Sequence, residues 1–227
     1  MIKKDNFFSS LSKTTNFYNS NYLPNLKDLN ELKKPFFLSV KYCKKLRIRN
    51  RLFTPYKIFI PGPLLIFKIK KKKKRIESLF CRFSKKSDKK KILAILKTTS
   101  GISRIEIDPH ISKHLKESYR KEWVNNFFLD KRGFKMIVYE KNSQILGFLL
   151  LIKKNNKYRI DLIMTKKKFH KKGIARAMTN FSINKILKTG ECLFAGTLEK
   201  NLIAKNFYKS MKFNLDTKVF NFHLHGK

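Results

Sequence analysis

Cysteine is scarce and placed without pattern. Its three occurrences, Cys43, Cys81 and Cys192, are odd in number, far apart and free of any Cys-x-x-Cys spacing, so neither a disulfide framework nor a zinc cluster follows from them. A long apolar run is missing too. The most hydrophobic stretch, Ile58 to Ile69, is broken by Pro61, Gly62, Pro63 and Lys68 and falls far short of the roughly 20 residues a membrane span needs. The start, MIKKDNFFSS, is positive but has no apolar segment behind it, which argues against a secretory leader. These absences leave a reduced, cytoplasmic setting as the expectation. Arginine is thin for so basic a chain. Lys and Arg total 54 against 15 Asp and Glu, yet Arg stands only at Arg47, Arg49, Arg51, Arg75, Arg82, Arg104, Arg120, Arg132, Arg159 and Arg176. Base readers favour the planar Arg fork over the solvated Lys point charge. With Asn, Ile and Phe abundant and Gly at 8, the formal charge of +39 reads as compositional bias. Nucleic acid is therefore not expected as the main partner.

What is present is enough to fold. A hydrophobic content of 42% and an aromatic content of 13% in 227 residues supply a core for one domain or two small ones and exclude a wholly disordered chain. The segment Lys68 to Lys91 reads KIKKKKKRIESLFCRFSKKSDKKK, with like-charge blocks at Lys70–Arg75 and Ser84–Lys91 that are expected to be solvated or mobile. The first block lacks the interleaved aromatics of a nucleic-acid patch. A boundary is expected within about ten residues of Thr99, dividing a basic region, 1–99, from a more legible one, 100–227. In the first, Phe36–Val40, Tyr56–Ile60 and Leu64–Ile69 have strand composition around a Pro61-Gly62-Pro63 turn, and no chemistry is visible.

In the second region, Leu115, Tyr119, Trp123, Val124 and Phe127 recur at helical spacing within Ser112–Phe128. Lys135–Glu140, Gln144–Ile152 and Tyr158–Thr165 follow as strands with short polar turns. A helix from Gly173 to about Lys188, a strand Leu193–Thr197, a helix Leu202–Met211 and a strand Lys218–Leu224 complete an α/β (α+β) pattern, a mixed sheet covered by helices. The segment His170–Arg176 lies where a strand hands over to a helix. First-turn N–H groups lack intrahelical acceptors and the helix dipole adds positive charge there, so a phosphate is a natural occupant. Gly173 and Ala175 keep side chains out of its way, and Lys171, Lys172 and Arg176 add charge.

His170-Lys171-Lys172-Gly173-Ile174-Ala175 resembles the Q/R-x-x-G-x-G/A acetyl-CoA motif of the GNAT N-acetyltransferase superfamily, with His170 in the Gln/Arg place. Asn201-Leu202-Ile203-Ala204-Lys205-Asn206-Phe207-Tyr208 resembles its N-x-x-A-x-x-F-Y motif, with Lys212-Phe213 where Gly-Phe usually follows. The resemblance covers about Ser103 to Gly226. Within it, Ser103-Arg104, Asp108-Pro109, Trp123-Val124-Asn125-Asn126, Gly147-Phe148-Leu149-Leu150, Ile160-Asp161-Leu162-Ile163, Gly196-Thr197 and Phe222-His223-Leu224-His225 are similar to acetyltransferases acting on nucleotide-linked 4-amino-4,6-dideoxyhexoses, of the dTDP-fucosamine type.

The resemblance implies a GNAT fold, a mixed, mostly antiparallel twisted sheet flanked by helices; the smaller N-terminal half, 1–99, lies outside it, and both a role in shaping the acceptor site and simple packing against the sheet stay open. It implies acetyl-CoA as co-substrate, no metal, and a small-molecule amine on a sugar nucleotide as acceptor. It implies that Leu162, Ile163, Met164 and Thr165 offer backbone partners to pantetheine, that Lys171, Lys172, Gly173, Ile174, Ala175 and Arg176 hold the pyrophosphate, and that Asn201 bonds the pantetheine amides. Tyr208 matches the acid that protonates the leaving thiolate, although an aromatic at that spacing also suits a helix core. Asp161 is a candidate base through water, or a salt-bridge partner. Arg104 suits a sugar-nucleotide phosphate, because Arg pairs bidentately with phosphate oxygens. His223 and His225 share one strand face, but without a third ligand in view packing or substrate contact is the expectation; His110 and His114 are expected at the surface. Rival readings are another GNAT acceptor, such as a protein N-terminus, amino acid or polyamine, and a nucleic-acid-binding module on the same scaffold. The number of subunits stays open, a homodimer included.

Overall fold

A computed structural model of the chain describes residues 1–12, 14–42, 56–98 and 101–227. Cys43, Arg47, Arg49, Arg51 and the boundary at Thr99 lie outside them. In chain order the first region holds β1 (Lys3–Lys4), α1 (Asn6–Leu11), β2 (Asn16–Ser20), α2 (Leu26–Asn30), β3 (Phe36–Tyr42), β4 (Lys57–Phe59), β5 (Leu64–Lys70), β6 (Cys81–Phe83) and α3 (Lys89–Thr98). The second holds α4 (Lys113–Phe128), β7 (Lys135–Lys141), β8 (Gln144–Lys154), β9 (Lys157–Thr165), α5 (Ile174–Ile186), β10 (Cys192–Leu198), α6 (Leu202–Ser210) and β11 (Asn214–Gly226).

The strands lie side by side in the order β1-β2-β3-β11-β5-β10-β9-β8-β7-β6, with β4 also on β11. Pairing is antiparallel except for β2 with β3 and β9 with β10. The division near Thr99 is therefore one of sequence and not of sheet. β5, from the first region, sits between β10 and β11, paired with both from Leu64 onward.

Local sequence explains the elements. The β7–β8 and β8–β9 hairpins turn on Asn142-Ser143 and Asn155-Asn156, all four with positive φ, the geometry two-residue hairpins favour and Asn tolerates. Ser112 caps α4, its Oγ accepting the Leu115 N–H at 3.4 Å. α5 and α6 cover one face of the sheet, where Ile174, Met178 and Ile183 pack with Leu149, Ile160 and Leu193. α3 and α4 cover the other, where Ile92, Ile95 and Val124 pack with Met136, Val138, Phe148 and Leu150. β1, α1, β2, α2, β6 and α3 carry no strong sequence period and were not expected, and the last strand starts at Asn214 instead of Lys218.

Most residues of the two basic blocks are exposed, as expected, but a few of them anchor each block. The Lys71 ammonium donates to the carbonyls of Asn184 and Leu187 at 2.8 and 2.6 Å, satisfying acceptors that the end of α5 leaves open. The Arg75 N–H donates to Asn184 Oδ1 at 2.9 Å, and Asn184 Nδ2 donates back to the Arg75 carbonyl at 2.8 Å. The first block is thus strapped to α5. In the second, Asp88 accepts from the Lys85 N–H and from Arg82, both at 2.7 Å, and starts α3.

Candidate active site

β9 and β10 are hydrogen-bonded through Tyr158–Leu193, Arg159–Phe194 and Ile160–Ala195, and no further. Both strands continue, β9 to Thr165 beside β8 and β10 to Leu198 beside β5. The register of β8 against β9 explains the parting. Leu150 faces Leu162 and Leu151 faces Ile160, so Asp161 is an extra residue in β9, and a bulge bends and twists its strand. Beyond the fork the inner backbone edges of Asp161–Thr165 and Gly196–Leu198 have no strand partner among the described residues. Leu162 and Met164 pack on the α3–α4 side and Ile163 on the α5–α6 side, which leaves their backbone groups along the fork.

Past Thr165 the chain makes one tight helical turn, Lys167–Phe169, before α5. Lys171 and Gly173 have φ of 61° and 76°, and a residue other than Gly at the second would be strained where α5 begins. A Cβ on Gly173 would meet nothing within 4 Å, so the space over the first turn of α5 is open, and no side chain caps its N–H groups. Ile174 anchors that turn next to Gly147, where a Cβ would lie 2.9 Å from Ile174 Cγ2 and 3.0 Å from the Met164 carbonyl oxygen. His170, the departure from the motif, donates from Nε2 to the Thr165 carbonyl at 3.1 Å and closes the loop on itself. Lys171 and Lys172 are exposed, Ala175 is half-buried, and Arg176 donates to Ser210 Oγ at 3.2 Å. A groove of about 960 Å³ runs from Gly173 and Arg176 to the Lys72–Arg75 strap and Lys212. It is electropositive and continuous with the open helix start.

α6 begins at Asn201, whose Oδ1 accepts the Ala204 N–H at 3.2 Å; the amide nitrogen is the group it can offer a ligand. Tyr208 is 4% exposed, its ring 5.7 Å from Phe67 and 5.4 Å from Phe213. Phe67 is in register with Ala195, the last β10 residue to pair with β9, so the phenol stands at the level of the fork on the helix-covered face. Burial pushes its pKa up, which keeps it a proton donor at neutral pH.

Asp161, which the sequence left between a base and a salt bridge, is in a salt bridge. Its Oδ2 accepts from Arg132 Nε at 3.0 Å and Nη2 at 2.6 Å, with Arg159 at 3.8 Å from Oδ1. Arg132 lies over the Trp123 ring, 4.4 Å from its centre.

A second polar assembly lies on the β3–β11 part of the sheet. Arg104 is not at the α5 loop but donates to Ser39 Oγ on β3. The histidine pair has the third group the sequence did not supply: Asp108 Oδ2 accepts from His223 Nδ1 at 2.6 Å and His225 Nε2 at 2.9 Å. Its Oδ1 accepts the His110 N–H at 2.9 Å, and the exposed His110 ring packs edge-on against His225, centres 5.0 Å apart. These are hydrogen-bond separations. Burial would raise the Asp108 pKa, but the bonds from His223 and His225 hold its carboxyl well below the usual range. Burial takes His223 down to about 4 despite that carboxylate, with Arg104 adding to the fall. A carboxylate some hundred residues from its histidines carries no spacing signal, which is why Asp108 was missed.

The model of the acetyltransferase (GNAT) domain matches residues 97–223. The chain belongs to the GNAT acetyltransferase family. GNAT enzymes are acyltransferases with acetyl-CoA as co-substrate. Spore coat polysaccharide biosynthesis protein SpsD of Bacillus subtilis (strain 168) is 27% identical over 123 residues, 54% of this chain and 42% of that protein, so the match spans less than half of the relative. Among solved structures, a functionally unknown conserved protein from Staphylococcus epidermidis superposes with a TM-score of 0.64 at 13% identity, over 96% of this chain and 88% of the other. A GNAT-family protein from Novosphingobium aromaticivorans gives 0.58 at 11%, over 84% and 74%. At such identities these two speak for the GNAT fold, in which the mixed sheet and flanking helices of this chain agree. Among the described residues no helix is long and apolar enough to cross a membrane.

Proposed function

We propose that the protein moves the acetyl group of acetyl-CoA to the amine of a nucleotide-activated amino sugar, directly, with both substrates bound. The observation that carries this reading is the fork between β9 and β10, opening beside a helix start whose N–H groups face unfilled space. Family membership supplies the donor. The SpsD match, a protein named for polysaccharide biosynthesis, supports an activated sugar as acceptor.

In this reading the pyrophosphate rests on the backbone of Lys171–Arg176, with salt-sensitive help from Lys171, Lys172 and Arg176. The phosphorylated adenosine end lies in the groove toward Lys72–Arg75. The pantetheine arm enters the fork as a short strand would, bonding the backbone of Leu162–Thr165 and the Asn201 amide nitrogen. A neutral amine attacks the thioester carbonyl, and an N–H near Ile163 or Met164 meets the developing oxyanion. Tyr208 gives its proton to the departing thiolate, and the proton that the attacking nitrogen sheds passes through water and restores the phenol. Asp161 holds Arg132 against Trp123 and thereby shapes the acceptor side, without itself taking a proton. The test is thiol release from acetyl-CoA with a panel of amino-sugar nucleotides. Release with at least one of them is expected; acetyl-CoA binding without release for any would overturn the acceptor assignment.

A further inference from the structure

Lys41 on β3 is directly opposite Asn221 on β11, and Ser39 is opposite His223, so all four side chains share the face that Arg104 and Asp108 approach from the 101–112 loop. Two features of this face are unusual. First, Lys41 and Arg104 are cations drawn into the protein with no carboxylate in contact among the described residues; Arg104 has Ser39 as its described hydrogen-bond partner. Burial, then the nearness of Arg104 and Arg159, takes the Lys41 ammonium down to about 8. Asp5 is the acid that acts on both through space, but it is committed, accepting from the Phe8 N–H at 3.1 Å and Asn19 Nδ2 at 2.7 Å. Second, Asn221 is 3% exposed with neither Oδ1 nor Nδ2 bonded, and His223, at 0%, has a free Nε2. Buried polar groups are ordinarily satisfied, and leaving one unmade is expensive, just as buried charges are ordinarily paired. Unpaired cations and unpaired hydrogen-bonding atoms coincide here.

We infer that this face is a binding site for an anionic group attached to neighbouring hydroxyl or imide groups, with Lys41 and Arg104 taking the charge and Asn221 and His223 the neighbours. His223 gives its Nδ1 proton to Asp108, so its Nε2 presents a lone pair and requires a donor from the ligand. Asn221 offers the two N–H donors of Nδ2 and the acceptor Oδ1. A small inorganic anion has few groups to divide between the cations and these atoms; a nucleoside phosphate or phosphorylated sugar carries its charge and its further donors and acceptors on separate parts, and suits both. Asp108 is a positioning residue that fixes the imidazole. Arg159 is close enough to act on Lys41 and also pairs with Asp161, the residue at the β9 bulge, at 3.8 Å. Calling the ligand the acceptor rests on the acetyl-transfer reading; its binding does not.

The experiment is calorimetry on the full chain saturated with CoA, so that the α5 start is filled, titrating uridine diphosphate, thymidine diphosphate, pyrophosphate and inorganic phosphate. Expected is binding of at least one nucleoside diphosphate, more tightly than pyrophosphate and phosphate. Lys41→Met and Asn221→Leu each weaken it about tenfold or more and leave CoA affinity unchanged. Asn221→Leu also raises the melting temperature of the ligand-free protein, because it removes an unmet buried amide; a purely structural amide would give a fall. Absence of binding by both nucleoside diphosphates, equal or tighter binding of the inorganic anions, loss of binding once CoA is present, unchanged affinity in both variants, or a lower melting temperature for Asn221→Leu overturns the inference. Failure of acetyl transfer alone, with this binding intact, would instead count against the function proposed above.

Discussion

Two places in the sheet leave different kinds of polar group without a partner among the described residues. At the β9–β10 fork they are backbone groups, set free because a bulge at Asp161 turns one strand away from the other. At β3–β11 they are side-chain atoms, those of the half-buried Lys41, the buried Asn221 and the Nε2 of His223, without a hydrogen-bond partner among the described residues. The fork suits a ligand that recurs throughout a family, since any strand of that shape offers the same N–H and C=O groups. The other end is peculiar to the residues placed on it.

Changes at the fork should damage turnover without touching the far end. Tyr208→Phe is expected to lower kcat about a hundredfold or more, the usual worth of a positioned proton donor, while acetyl-CoA affinity stays within a few fold. Steady-state thiol release with calorimetry separates the two, and an unchanged kcat removes Tyr208 from the mechanism. Gly173→Val forces a β-branched residue to positive φ in the cradle; a rise of about tenfold in the acetyl-CoA Kd is expected, with nucleoside diphosphate binding preserved, and equal loss of both would erase the distinction between the ends.

Smaller effects sharpen the contrast. Asp161→Asn strips the carboxylate from Arg132 and should cost about 1–3 kcal/mol of stability, seen as a lower denaturation midpoint at constant slope. The far end should show itself in acid. His223 has its folded pKa lowered to about 4 against an ordinary value near 6.5, so as pH falls below about 6.5 the unfolded chain takes up a proton that the folded one refuses until about 4, and stability drops across that window. Asp108, whose folded pKa is lowered, adds stability above its unfolded value near 3.9 that is lost as pH falls further. His223→Gln should flatten the first part of the melting temperature curve; a curve unchanged between pH 6.5 and 4 would show that the imidazole titrates as if exposed.

The loop before α5 was legible because it depends on contiguous sequence, whereas the fork, which needs the register of β8, β9 and β10 together, was not. The period of β9, Gly173 at a helix start and Tyr208 at its place in α6 can each be read within a few residues. His170 shows the limit of that reading, since a departure from the motif turns out to secure the Thr165 carbonyl. The far end was illegible for the opposite reason. Lys41 is one of many lysines, and nothing local ties it to Asn221 or Arg104. Asp108 and His223 meet across 115 positions. Most of the Lys70–Arg75 block is solvated as a charge run usually is, but its anchor was not foreseen, because the carbonyls that the end of α5 offers to Lys71 lie over a hundred residues away.

The position of β5 has a consequence for how the molecule is made. Leu64–Lys70 leaves the ribosome long before Cys192–Leu198 and Asn214–Gly226, the two strands that will enclose it. Until they emerge the nascent chain carries an apolar ribbon with both edges bare, the situation that invites association between copies. Lys68 and Lys70 within it, and the lysines that follow, act as gatekeepers during that wait. Cutting the gene at the family boundary would be worse still: the 97–227 fragment would lack its middle plank, and a clean expression product requires the first region in cis.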